Sequence, residues 1–310
     1  MIAKHGLVDL QVNGYAGVDF NTPGLSVEDV RRARRLLRDE GITAFLPTLI
    51  TNDLAVIERL ADTLLAADDD SSSGAEILGL HLEGPFISPH DGARGAHPAA
   101  WVRPPDAEWL KRFQDRCAGR VRLVTFSPEW DDAPRFVETA RALGIRVAIG
   151  HTLATRAQIR DAVAAGATLS THLGNALPPL LPRHPNSIWS QLAEDGLAVS
   201  LVGDGFHLPR EFIETVLKVK GENAFLVSDC TRFAGMAPGR YATPIGGDVV
   251  LTPEGRLHLA ADERLLAGSA FSLRRMVDFL VENQWLDPAT VLEMASTRPL
   301  RFLGLYSVST

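Results

Sequence analysis

The chain has 310 residues, of which 45% are hydrophobic and 22% charged, with a formal net charge of −7. A chain of this length buries about three quarters of the surface its unfolded form exposes, so it needs neither disulfides nor a structural metal to fold. The acidic balance argues against nucleic acid as the main partner, since phosphate-backbone binding leaves a basic excess or stripe.

In chain order, short apolar runs alternate with stretches of helical spacing. LVDLQV (7–12) reads as a strand and SVEDVRRARRLLRDEG (26–41) as a helix, with Ser26 and Asp29 forming an N-cap arrangement. ITAFLPTLI (42–50) is a strand, NDLAVIERLADTLLAA (52–67) a helix, and DDDSSSG (68–74) a solvated loop. EILGLHL (76–82) is a strand, followed by a long Gly- and Pro-rich loop at 83–104. VRLVTF (121–126), IRVAIG (145–150) and ATLSTHL (167–173) are strands, separated by helices at 131–144 and 155–166. AVSLVGD (198–204) and AFLVSD (224–229) complete eight strands. Residues 240–266 read as a β-hairpin turning at Pro253-Glu254-Gly255, and a final helix is expected at about 271–284. Gly41, Gly144 and Gly166 sit where helices should stop.

Strands that are apolar throughout, alternating with helices, imply a parallel sheet covered on both faces. Eight such units imply an α/β fold of the (β/α)8 TIM-barrel type with a β-hairpin insertion after the eighth strand; an open doubly wound sheet is the alternative. With no linker visible, residues 1–310 read as a single domain. No apolar run approaches the ~18–20 residues of a membrane span. The opening MIAKHGLVDLQVNG lacks the charged-then-apolar pattern of a signal peptide. Cys117 and Cys230 are too few for a disulfide framework and fit a reducing cytoplasm.

In a barrel of this kind the active site lies at the C-terminal ends of the strands. The first strand ends in Gln11 and Asn13, the third in His81 and Glu83, the fifth in His151 and the sixth in His172. The seventh runs into Asp204 and His207, and the eighth ends in Asp229. Glu83, His151 and His172 form a plausible metal set, because two imidazoles and one carboxylate suit zinc while leaving a fourth position open. Other divalent metals accept the same ligands. Asp229, facing a water held at such a metal, would be a natural general base. Taken singly, a strand histidine such as His81 reads as a hydrogen-bonded core residue. Cys230, next to the base, reads as a buried core thiol, since adjacent strand residues point to opposite faces.

HLEGPF (81–86), GHTLAT (150–155), THLGNALPP (171–179), GDGFHL (203–208), VSDCTRFAGM (227–236) and LAGSA (266–270) together resemble the motifs of the N-acetylglucosamine-6-phosphate deacetylases, within the amidohydrolase superfamily. DLQVNGYAGVDFNT (9–22) and FLPTLIT (45–51) match as well, so the resemblance spans nearly the whole chain. It implies that Glu83, His151 and His172 hold one divalent metal ion. Asp229 would move a proton from the attacking water to the leaving amine, and His97 would lie near the acetamido carbonyl. Asn175, Ala176 through its backbone, Arg183 and His207 would bind the sugar phosphate, arginine being suited by its planar fork of donors. Gln11 and Asn13 stand where many amidohydrolases carry an H-x-H pair for a second metal; neutral amides are poor ligands, so the chain resembles the single-metal branch. A homodimer is implied too.

Three departures qualify the resemblance. The first strand begins by residue 7 and the chain stops soon after RPLRFLGLY (298–306), so the small β-sandwich usual in amidohydrolases is expected to be missing, leaving surface to be covered otherwise. LLPRHPNSIWSQ (180–191) departs from the family's usual R-E-P-G pattern, with Asn186 and Trp189 able to reshape the pocket. Gly174 replaces a common aromatic residue. The expected function is metal-dependent removal of an N-acetyl group from an amino sugar phosphate, N-acetylglucosamine-6-phosphate first. The alternatives are deacylation of a non-phosphorylated or larger N-acyl sugar, and a metal-binding barrel with little catalysis. Asp229 argues against the last, since a pure binder needs no base.

Overall fold

The computed structural model describes residues 6–68, 74–243 and 247–306. Strand β1 (Leu7–Val12) is buried at every position, as befits a strand covered on both faces. A short antiparallel ribbon, β2 (Gly14–Tyr15) and β3 (Val18–Asp19), precedes helix α1 (Val27–Asp39). Next come β4 (Ile42–Ile50), α2 (Leu54–Ala66), β5 (Glu76–Ile77), β6 (Leu80–Glu83), α3 (Ala107–Arg116), β7 (Val121–Phe126), α4 (Ala133–Ala142) and β8 (Arg146–Ile149). They are followed by α5 (Arg156–Ala165), β9 (Leu169–Ser170), α6 (Ser187–Leu192), β10 (Ala198–Leu201), α7 (Arg210–Lys220) and β11 (Ala224–Leu226).

Eight strands pair in parallel in the order β1-β4-β6-β7-β8-β9-β10-β11, with β5 beside β4. The last strand returns to the first. A parallel bridge joins Val12 to Cys230, and the Asn13 N–H donates to the Cys230 carbonyl at 2.8 Å. The fold is a TIM-type barrel, nearly closed, rather than an open sheet. Helices present apolar stripes to it: Val30, Ala33 and Leu37 of α1 are fully buried, at the spacing of one helical face.

Several boundaries differ from the sequence reading. The run at 76–82 divides into β5 and β6, because Gly79 takes a φ of +145° between them. The run at 167–173 narrows to β9, since its end turns into the site. Residues 240–266 carry three antiparallel strands, β12 (Gly239–Tyr241), β13 (Val249–Leu251) and β14 (Leu257–Leu259), with the expected turn between the last two. Past α8 (Leu273–Glu282) lie two further helices, α9 (Pro288–Met294) and α10 (Thr297–Leu303). Helices α3, α6 and α9 carry local start signals, since Asp106, Asn186 and Asp287 each accept a first-turn backbone N–H. Ser26 caps α1 as expected. Most of the DDDSSSG loop, residues 69–73, lies outside the described residues.

The barrel interior is polar beneath its open end. His81 lies between the Thr48 hydroxyl at 3.3 Å and the Thr125 hydroxyl at 2.8 Å, and burial lowers its pKa to about 4. It is a neutral, hydrogen-bonded core histidine. Asp9 accepts from the Gln11 and Ser228 backbone N–H groups through one oxygen, while its other oxygen has no partner among the described residues. Burial raises that carboxyl to about 7. No described helix is long and apolar enough to cross a membrane.

Candidate active site

Three strand ends converge on one point. Glu83 closes β6, His151 follows β8 and His172 follows β9, and all three are buried. Glu83 Oε1 lies 3.2 Å from His151 Nε2 and 3.0 Å from His172 Nε2, and the two Nε2 atoms are 3.1 Å apart. The edge of a zinc tetrahedron with bonds of 2.0–2.1 Å is about 3.3–3.4 Å, so this spacing suits a shared divalent ion. The chemistry of the donor set agrees, since two imidazole Nε2 atoms and a carboxylate oxygen, all ligand types for such an ion, converge on one point. Burial opposes charge on Glu83, yet hydrogen bonds from the two histidines hold its carboxyl well below the usual range. Burial likewise opposes charge on His172, but its bond to Glu83 leaves its pKa raised.

Asp229 stands across from this cluster. Its Oδ1 accepts from Gln11 Nε2 at 3.0 Å and from Asn13 Nδ2 at 2.8 Å. Gln11 Nε2 also donates to Glu83 Oε1 at 2.8 Å, and its carbonyl accepts from the Thr171 hydroxyl at 3.0 Å. Both amides thus serve as donors: Gln11 ties the two carboxylates together, and Asn13 adds a second bond to Asp229. Burial, followed by the charge of Glu83, raises Asp229 to about 6. No described residue donates to its other oxygen. Cys230 is buried, with its thiol donating to the Gly14 carbonyl at 3.3 Å, and burial pushes its pKa up. That environment leaves it inert.

Backbone geometry sets these side chains. His151, His172 and Asp229 have φ values of +50°, +32° and +48°, a region that costs non-glycine residues on the order of 1–3 kcal/mol each. Neighbours hold them there. Glu129 Oε2 accepts from the Leu153 N–H at 2.9 Å and the Thr152 hydroxyl at 3.2 Å, just after His151. The His172 N–H donates to the Ser200 hydroxyl at 2.9 Å. Sequence reasoning missed Glu129, Ser200 and Thr51; only Thr51 sits at a strand end, where polar residues invite inspection.

His97 descends from the long loop and is buried. Its Nδ1 lies 2.7 Å from the Thr51 hydroxyl, and its ring packs edge-on against His151 with centroids 4.4 Å apart. Burial and the charge of His151 lower its pKa to about 3. Glu83, His97 and His151 also offer donor atoms within 4.8 Å of one another, so two candidate ligand sets share Glu83 and His151.

The remaining predicted residues lie on the rim. Asn175 donates to the His172 carbonyl at 3.2 Å, and Ala176 takes a φ of +51°. His207 is oriented by Asp204, whose Oδ2 lies 2.7 Å from Nδ1. Arg183 is exposed on the loop before α6, and its guanidinium makes no hydrogen bond or ion pair among the described residues. Gly174 takes a φ of +94°, and a Cβ there would meet Leu208 at 2.8 Å and Phe212 at 3.0 Å. The side chains of Leu208 and Phe212 therefore fill the space a larger residue would need.

The chain is 35% identical over 309 residues to the N-acetylglucosamine-6-phosphate deacetylase of Bacillus subtilis, covering 97% of this chain and 75% of that protein. The chain belongs to the N-acetylglucosamine-6-phosphate deacetylase family. It is an amide-hydrolysing enzyme by that membership. An N-acetylgalactosamine-6-phosphate deacetylase of Escherichia coli O157:H7 is 30% identical, with 97% of this chain and 78% of that protein covered. In structure, a mutant of the deacetylase from Mycobacterium smegmatis, solved in complex with N-acetyl-D-glucosamine-6-phosphate, superposes with a TM-score of 0.84. That pair is 30% identical, and the match covers 97% of this chain and 77% of that one. No protein-family model matches the chain. Family membership accounts for the barrel and for the polar strand ends together, because such strand-end clusters are where this architecture places its chemistry.

Proposed function

We propose that the chain removes the acetyl group of N-acetylglucosamine-6-phosphate, with one zinc ion held by Glu83, His151 and His172. The observation that carries this reading is the pairing of that buried donor cluster with Asp229, a separate carboxylate held by only one of its oxygens. When bound, the ion supplies Lewis acidity, polarising the acyl oxygen and lowering the pKa of water toward ~7.

The chain's own residues divide the remaining work. Gln11 and Asn13 occupy Asp229 Oδ1, which leaves Oδ2 to accept a proton from the attacking water as the new C–O bond forms. A carboxyl raised to about 6 can hold that proton and then release it to the departing nitrogen. The C–N bond breaks as the amine is protonated, giving acetate and the free amino sugar. His97 donates to the acyl oxygen. Asn175, the Ala176 backbone, His207 and Arg183 hold the sugar phosphate, with the unpaired guanidinium of Arg183 offering charge-assisted hydrogen bonds to phosphate oxygens. Exposed Leu180 and Trp189, after β9, and Trp101, after β6, support a second copy as partner. The two free, buried cysteines support a reducing cytoplasm.

The test is acetate release by the zinc-loaded protein. N-acetylglucosamine-6-phosphate is compared with N-acetylgalactosamine-6-phosphate and with free N-acetylglucosamine. Fast release from the first, and little from the unphosphorylated sugar, is expected. Equal release with and without phosphate would overturn the phosphate roles and favour a broader N-acyl sugar, while no release from any would overturn the reading.

A further inference from the structure

Position alone would admit His97 to the metal set in place of His172, since its donor atom lies within 4.8 Å of those of Glu83 and His151. The proton on its ring decides otherwise. The Thr51 backbone N–H points at His97 Nδ1 at 3.4 Å, and the Thr51 hydroxyl lies 2.7 Å from the same nitrogen. A backbone amide only donates. A proton on Nδ1 would set donor against donor in a buried site and leave that amide without an acceptor. Nδ1 is therefore the lone-pair nitrogen, the Thr51 hydroxyl donates to it as well, and the proton sits on Nε2. The niche is built for this contact. Thr51 is buried, and at Gly84, with φ +89°, a Cβ would stand 2.2 Å from Thr51 Oγ1. Any side chain in place of Gly84 would expel the hydroxyl.

We propose that Thr51 is the positioning residue that holds His97 as its Nε2–H tautomer, making His97 a hydrogen-bond donor to the acyl oxygen and keeping it out of the metal set. Only the identity of the acceptor rests on the deacetylase reading. A protonated Nε2 has no lone pair for an ion, and the lone pair of Nδ1 is engaged by Thr51. Glu83, His151 and His172 remain as ligands. A donor aimed at the acyl oxygen acts most strongly as charge develops there, so its misplacement lowers kcat more than it raises KM.

The test uses zinc-loaded protein labelled with 15N-histidine, the His97 signals being those lost in His97→Gln. The expected spectrum has an unprotonated Nδ1 and a protonated Nε2, and Thr51→Val mixes or reverses the two. In Thr51→Val kcat falls about tenfold, the size of one well-placed hydrogen bond, with KM little changed. Thr51→Ser restores both the spectrum and the rate. Zinc content is unchanged in Thr51→Val and His97→Gln. A protonated Nδ1 in the unaltered protein, loss of zinc with His97→Gln, or full kcat in Thr51→Val would overturn the assignment. If the unaltered protein hydrolysed no N-acetyl sugar yet showed the Nε2–H tautomer and zinc retention, the deacetylase reading would fall and the tautomer assignment would stand.

Discussion

Glu83, His151, His172 and Asp229 lie at the floor of the site, the first three buried and Asp229 half-buried, and each is engaged by other named side chains. Asn175 and Arg183, on the loop after β9, and Trp189, in the short helix α6, lie on its rim, half-buried or exposed. The floor is tied into barrel strands, where a displaced side chain would disturb several hydrogen bonds at once. The rim hangs between β9 and β10, where residues can change without disturbing the core. The chemistry is thus built into the fold, and the choice of substrate is left to loops, as is usual for this architecture.

The largest effect expected on this comparison comes from the floor. Asp229→Asn should lower turnover about 10²–10⁴-fold with zinc content and melting temperature nearly unchanged. Turnover within tenfold of the unaltered enzyme would break the division of roles.

A second test reads the floor through stability. Folded Asp9 keeps its proton to about pH 7, against an ordinary 3.8. Between those values the folded state binds more protons than the unfolded one, so this contribution to unfolding free energy falls as pH rises. At about 1.4 kcal/mol per pKa unit the loss is on the order of 4 kcal/mol. Asp9→Asn, which is neutral at every pH, should flatten that component of the profile between pH 4 and 7 in denaturant titrations. Parallel profiles for the two proteins would show that Asp9 is charged in the barrel.

The smallest effect belongs to the rim. Arg183→Ala should raise KM for the phosphorylated sugar about tenfold, the loss of one charge-assisted contact, while stability changes by less than about 0.5 kcal/mol. The same change should leave the unphosphorylated sugar unaffected. An equal rise for both would remove Arg183 from the phosphate site and sharpen the search toward His207.

Legibility in the sequence follows the same divide. Strands β1, β4 and β7 could be read to the residue because a short apolar run between polar residues fits a strand covered on both faces and is too short for a buried helix. The metal and base candidates were legible because ionisable side chains ended those runs. Helices α3 and α7 carry apolar stripes, with Trp109, Leu110 and Phe113 buried in the one and Ile213 and Val216 in the other, whereas α6 spans only Ser187–Leu192, too short for a period to show. The donor role of Gln11 was hidden, since it depends on Glu83 and Asp229, 72 and 218 residues away. Thr51 was hidden for the same reason, 46 residues from His97.

From its sequence alone this protein is an eight-unit α/β fold, a barrel ahead of an open sheet, with Glu83, His151, His172 and Asp229 at strand ends, because hydrophobic period and strand boundaries are local properties of the chain. Tertiary structure decided the rest. It brought the three donors to within 3.2 Å and turned His151, His172 and Asp229 inward on left-handed backbone. It also set the donor groups of Thr51 against one nitrogen of His97. Such contacts join distant segments, and their geometry exists only once the barrel has closed.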